Sequence, residues 1–252
     1  MSAPILSTHG LTKRFGGLLV TDCLDFDVLT GEVHAVIGPN GAGKTTLINQ
    51  LIGELVPDGG RIEFEGRDIT TLPSYRRSLL GLSRSYQITS VFPDFTALEN
   101  VSLAAQAHDG HSFGLWRPVS REERLTRPAR AALEEVGLST KNHTYAAELA
   151  HGEHRQLELA MALVSRPKVL LLDEPMAGMG RLESESMIKL LASLKRRYTI
   201  VLVEHDMDVV FALADRISVL VYGKTIACGS PSAIRASIEV KRAYLGERYA
   251  SG

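Results

Sequence analysis

Val33-His34-Ala35-Val36-Ile37-Gly38-Pro39-Asn40-Gly41-Ala42-Gly43-Lys44-Thr45-Thr46 is the stretch of this 252-residue chain that decides its fold. Val33 to Ile37 is short, mostly apolar and rich in β-branched residues, so it reads as a buried strand. Thr45 to Leu55 is helix-competent, and the glycine-rich segment between them must be a loop. That loop, Gly38 to Thr45, fits G-x-x-x-x-G-K-[ST] at every defined position, directly after a strand and opening a helix, which is the context the motif requires. Its glycines let consecutive backbone N–H groups of Gly38, Pro39, Asn40, Gly41, Ala42 and Gly43 turn around phosphate oxygens, with the exception of proline, which has no N–H. The helix N-terminus adds partial positive charge, and Lys44 neutralises the outer phosphates. Thr45 is placed to put its hydroxyl on Mg²⁺, with Thr46 beside it.

Two further apolar runs end in polar residues. Val169 to Leu172 leads into Asp173 and Glu174, and Thr199 to Val203 leads into Glu204 and His205. Such ends mark the ligand crevice of an open parallel sheet. In that setting Asp173 belongs to a magnesium shell and Glu174 to an attacking water. Leu18 to Val28 and Arg61 to Phe64 instead alternate and are punctuated by glycines, which predicts antiparallel strands beside the parallel core. Between about Thr96 and Ser139 the pattern is helical, with Val101 to Ala107 and Ala129 to Val136 as apolar-faced pieces, and predicts an inserted helical lobe.

Composition removes several classes. The balance of 28 basic to 29 acidic residues leaves no field to draw a polyanion, so no nucleic-acid partner is expected. Cys23 and Cys228 are too few for a disulfide framework and lack metal-ligand spacing, so both are expected as buried thiols. The longest apolar runs fall far short of the ~20 residues needed to cross a bilayer, and Met1 to Gly10 has no basic patch followed by an apolar stretch. If the protein serves transport, other chains must supply the pore. The link from Trp116 to Arg130, with five arginines against two glutamates, reads as a solvated helix face more readily than as a headgroup contact.

With these motifs in place the chain resembles the ATP-binding subunits of ABC transporters along nearly its whole length. The resemblance implies an α/β P-loop NTPase fold: a mainly parallel core sheet, an antiparallel β subdomain and an inserted α-helical subdomain. It implies a single domain over 1–252, with a core lobe at about 1–90 and 155–252 and a helical lobe at about 91–154. It makes Gln87, in Arg84-Ser85-Tyr86-Gln87, the sensor of magnesium and γ-phosphate. It makes His205 the switch histidine and Phe15 the aromatic stacked on adenine. Taken alone, each also reads blandly, as a loop amide, a strand-end imidazole and a core ring. The implied ligands are ATP and Mg²⁺, the latter held by Thr45, Gln87 and Asp173, with Glu174, His205, Gln87 and Lys44 as the catalytic set.

The signature loop of the family, which contacts ATP on a partner subunit, reads here Leu149-Ala150-His151-Gly152-Glu153-His154-Arg155-Gln156. Ala150 stands where a serine hydroxyl is common, while Gly152 and the following helix start still offer N–H groups. His151 and His154 do not fit H-E-x-x-H, which disfavours a metal there. Gly180, in Pro175-Met176-Ala177-Gly178-Met179-Gly180, stands where the coupling loop usually has aspartate. Both departures favour a heterodimer with a sister ATPase over a symmetric homodimer.

The wording of Asp68-Ile69-Thr70, Pro93 to Val101, Met176 to Gly180 and Ala243 to Glu247 is similar to the branched-chain amino acid importer branch, which also includes carriers of urea, amides and aromatic acids. That implies two membrane permease subunits and, indirectly, a periplasmic or extracellular solute-binding protein. It also implies a place on the cytoplasmic face of a bacterial or archaeal plasma membrane, and a docking groove around Ser90 to Phe95. A soluble ABC ATPase acting on DNA or ribosomes is disfavoured by the single cassette and the absence of a basic surplus.

Overall fold

The computed structural model describes residues 3–85, 91–109 and 122–249, with side chains described except at 109 and 244–249. Its centre is a six-stranded sheet of β3 (Val33–Ile37), β6 (Leu82–Ser85), β7 (Val169–Asp173), β8 (Thr199–Val203), β9 (Arg216–Val221) and β10 (Lys224–Gly229), in the order β10-β9-β3-β8-β7-β6. All neighbours are parallel except β10, which closes an antiparallel hairpin on β9. A second, antiparallel sheet, β2-β1-β4-β5, is formed by β1 (Leu6–Phe15), β2 (Leu18–Val28), β4 (Gly59–Phe64) and β5 (Arg67–Asp68).

The central strands are apolar without alternation because both faces are covered. On β7, Val169 and Leu171 face a cluster that includes Leu47 and Leu51 of α1 (Lys44–Ile52) and Leu6 and Phe64 of the antiparallel sheet. Leu170 and Leu172 face the opposite cluster. That side carries α3 (Ala97–Asp109), α4 (Glu123–Glu135), α5 (His151–Leu163) and α6 (Arg181–Leu194), with Val101, Leu133, Leu157 and Leu191 at its centre. The remaining helices are α2 (Ser74–Leu80), α7 (Met207–Leu213), α8 (Pro231–Ala236) and α9 (Ile238–Tyr249).

Two expectations are corrected. The first helix stops at Ile52, not Leu55, because Gly53 turns into the left-handed region (φ 86°) and its N–H caps the carbonyls of Asn49 and Gln50. Cys23 and Cys228 are exposed, not buried. Cys23 sits with φ 48° where the β1–β2 register shifts, and Cys228 lies on the edge strand β10, its thiol bonded to the buried His34 while the residue stays exposed.

Candidate nucleotide site

Register brings the polar strand ends together. Val36 pairs with Val203 and Val203 with Asp173, so one row crosses β3, β8 and β7. The residues just beyond that row are Ile37-Gly38, Glu204 and Glu174, at the carboxyl edge where open α/β sheets bind ligands.

The loop from Gly38 to Gly43 leaves β3 under tight packing. A Cβ on Gly38 would collide with the Leu220 carbonyl, and one on Gly43 (φ 100°) would lie 2.5 Å from the Val20 carbonyl oxygen. These positions therefore admit only glycine. The β9–β10 turn braces the loop from behind, Gly223 N–H donating to the Ala42 carbonyl at 3.0 Å. Lys44 is buried at the helix start, and its Nζ donates to the carbonyls of Gly38 (2.7 Å) and Pro39 (3.1 Å). Burial pulls its pKa down, opposed by the charges of Glu174 and Asp173. Thr45 and Asn40 are exposed and Thr46 is half-buried.

Asp173 is the last residue of β7 and 3% exposed. Burial pushes its pKa up, while the Arg84 guanidinium, 3.0 Å from Oδ2, pulls it down. Glu174 is only partly buried and adopts φ 49°, a left-handed conformation costly for a non-glycine residue, which reverses the chain so that Ala177 N–H returns to the Glu174 carbonyl. His205, at the end of β8, presents Nδ1 3.7 Å from Glu174 Oε1, and its side chain is 64% exposed. Phe15 ends β1 half-exposed, with Lys13 Nζ 5.8 Å from the ring centroid.

The structure thus gathers Gly38 to Thr46, Asp173, Glu174 and His205 along one sheet edge. Ala150 and Gly152 lie apart, at the start of α5: Ala150 is the residue before the helix, and its N–H donates to Glu153 at 2.9 Å. Gln87 lies outside the described residues. Tyr86 and Ser90 do so as well, as does the arginine-rich link up to Arg121.

Three contributors were not legible as such. Arg84 joins Asp173 to Asn49 (2.7 Å) and Glu54 (3.0 Å) from a side chain 7% exposed. Glu183 of α6 accepts from Gly152 N–H (3.2 Å) and Gly180 N–H (2.9 Å), tying the starts of α5 and α6 together. Glu204 sits buried behind His205. Only Glu204 had a sequence signal, as a carboxylate next to the histidine on a strand buried on both faces.

Comparisons with known proteins identify the family. Residues 21–177 match the ABC transporter family. The chain is 40% identical over 254 residues to the high-affinity branched-chain amino acid transport ATP-binding protein BraF of Pseudomonas aeruginosa, covering 98% of this chain and 100% of that protein. It is 39% identical to the corresponding LivG protein of Escherichia coli with the same coverage. Among solved structures, the ADP conformation of an ATP-binding cassette of an ABC transporter superposes with a TM-score of 0.87 at 31% identity, over 97% of this chain and 100% of that one. A nucleotide-free cassette gives 0.86 at 30%, over 96% and 99%. A glycine-rich loop that opens a helix, two carboxylates and a histidine on one sheet edge, and these full-length likenesses lead to one conclusion: the chain belongs to the ABC transporter family, as an ATP-binding cassette subunit that hydrolyses ATP.

Proposed function

We propose that this subunit powers import of branched-chain amino acids or related small solutes, as one of two non-identical cassettes docked beneath a pair of membrane permease chains. The full-length identity to BraF and LivG is the observation that carries the solute class. Urea, amide and aromatic-acid carriers share that branch, so the solute is set by the partner chains. The heterodimer follows from Ala150 and Gly180, which remove a hydroxyl and a carboxylate from the loops that face a partner. The helical lobe would span about 91–154, so its boundary falls inside α5.

In this reading the backbone N–H groups of Gly41, Ala42 and Gly43, with Lys44, hold the phosphates, and Phe15 stacks on adenine. Hard oxygen donors fit Mg²⁺, and Thr45 and Asp173 supply them, with Gln87 as a third. When bound, Mg²⁺ would offset phosphate charge. Glu174 orients and deprotonates the attacking water, and His205, within reach of Glu174, holds the γ-phosphate. The start of α5, at Gly152, faces the ATP held by the partner cassette, and Gly152 N–H exchanges Glu183 for phosphate when that ATP binds. An apolar groove of about 500 Å³ between α2, β6, α3 and α5, lined by Tyr75, Leu79, Arg84, Val91, Ala104 and Glu158, receives the permease.

The test is ATP turnover by the complex with its co-encoded partners, comparing wild type with Glu174→Gln. Turnover by wild type and at least a ~100-fold loss in the variant, with ATP still bound, supports Glu174 as the base. Binding without turnover in any pairing would instead make this chain a regulatory half-site, a reading that the intact Lys44, Asp173, Glu174 and His205 argue against.

A further inference from the structure

Glu204 is 1% exposed, and a buried carboxylate costs several kcal/mol unless its charge is met. Among the described residues the basic side chain in ion-pair range is the His205 ring, with Nδ1 3.9 Å from Oε2. Its oxygens take backbone donors: Oε1 accepts from Met176 N–H at 3.3 Å and Oε2 from His205 N–H at 3.1 Å, with Asp206 N–H contributing on the same side as His205. Met176 begins the loop that leaves Glu174, and His205 is the residue that faces Glu174. One carboxylate therefore spans the ends of β7 and β8, beneath the two side chains that meet 3.7 Å apart.

Resting on the roles proposed above for Glu174 and His205, we infer that Glu204 is a positioning residue: it fixes His205 and the Met176 to Gly180 loop in one register, so that displacement of either moves the other. A buried carboxyl group whose two oxygens accept from the N–H groups of two functional loops acts as a bracket, which a side chain with a single acceptor atom cannot reproduce. Glutamine in its place offers one acceptor and turns an NH₂ group toward the other N–H. Burial raises the Glu204 pKa above the ordinary value, and the N–H groups of Met176, His205 and Asp206 pull against that rise.

The experiment uses the full chain assembled with its partner subunits in lipid nanodiscs and compares Glu204→Gln, Glu204→Asp and His205→Ala with wild type. In Glu204→Gln, kcat should fall about tenfold or more with KM for ATP within about twofold. ATP affinity of the isolated variant should stay near wild type. Amide hydrogen exchange should accelerate at Met176 and His205 together, and not in the Gly38 to Gly43 loop. Glu204→Asp keeps the charge one methylene short, serves if the glutamine variant does not fold, and should show the same loss of kcat. Unchanged kcat in either folded variant, exchange rising at one amide alone, or a kcat loss matched by lost ATP affinity would overturn the inference. If His205→Ala also turns over normally, it is the reading of the site that fails; if His205→Ala is inactive while Glu204→Gln is not, this inference alone fails.

Discussion

At the scale of single residues, the site is made of groups whose cost to folding points to use. Gly43 is one: with φ 100° and the Val20 carbonyl where a Cβ would lie, Gly43→Ala strains the backbone and displaces β2. A loss of about 2–3 kcal/mol in urea or thermal unfolding, with ATP binding abolished, is the expected outcome. Glu32 shows the same logic in its titration. Burial alone would raise its pKa, but His34 Nδ1 (3.3 Å), Arg216 Nη2 (2.8 Å) and Leu29 N–H (2.7 Å) gather on Oε1 and bring it down to about 2 from the ordinary 4.5. A depressed carboxylate contributes stability that is present above its unfolded pKa and lost as pH falls through the folded value. Acid unfolding should therefore draw on Glu32 between about pH 4.5 and 2, for about 3 kcal/mol. Glu32→Gln should remove that dependence from a stability-versus-pH series.

At the scale of elements, buried polar side chains finish helices that the chain cannot finish with backbone alone. Arg77 of α2 is 1% exposed and caps α1, its guanidinium donating to the carbonyls of Gln50 (2.7 Å), Leu51 (2.7 Å), Thr70 (2.9 Å) and Leu72 (2.8 Å). Since α1 begins at Lys44, this cap holds the helix that presents the phosphate loop. Arg77→Ala leaves those carbonyls short of a donor, at a cost of about 3–5 kcal/mol, read as a Tm fall of roughly 8–15 °C. Glu183 does comparable work between α5 and α6 through Gly152 and Gly180. Glu183→Ala should loosen the signature segment by about 1–2 kcal/mol, seen as faster amide exchange at Gly152 with the central strands unaffected.

At the scale of the whole molecule, no described helix is long and apolar enough to cross a membrane. The groove between core and helical side leaves Tyr75 (61%) and Leu79 (54%) exposed, and the stacked pair Phe92–Phe95 stands beside its Val91 end. This is the groove proposed above to receive the permease. Leu79→Asp should leave ATP affinity of the isolated chain unchanged while cutting co-purification with the permease and its stimulation of hydrolysis by about tenfold. Arg84 lines the same groove and bonds Asp173, so the docking surface and the site share a side chain.

What the sequence determined by itself is local and periodic. The glycine spacing from Gly38 to Gly43, the strand before it and the helix after it, and the acids and histidine at Asp173, Glu174 and His205 are legible because each depends on a short run of neighbours. The parallel core and antiparallel side sheet follow from continuous against alternating apolar patterns. What only the tertiary structure decided is which distant polar groups meet. Arg84 on Asp173 and Arg77 on the end of α1 are contacts across tens of residues; their energies come from desolvation by elements packed later, which a linear pattern does not encode. Cys23 and Cys228 failed for the same reason: cysteine favours burial on average, but a register shift and an edge strand set these two outside. Glu204 is the sharpest case, a strand-end acid in the sequence that becomes a bracket only when β7 and β8 lie side by side.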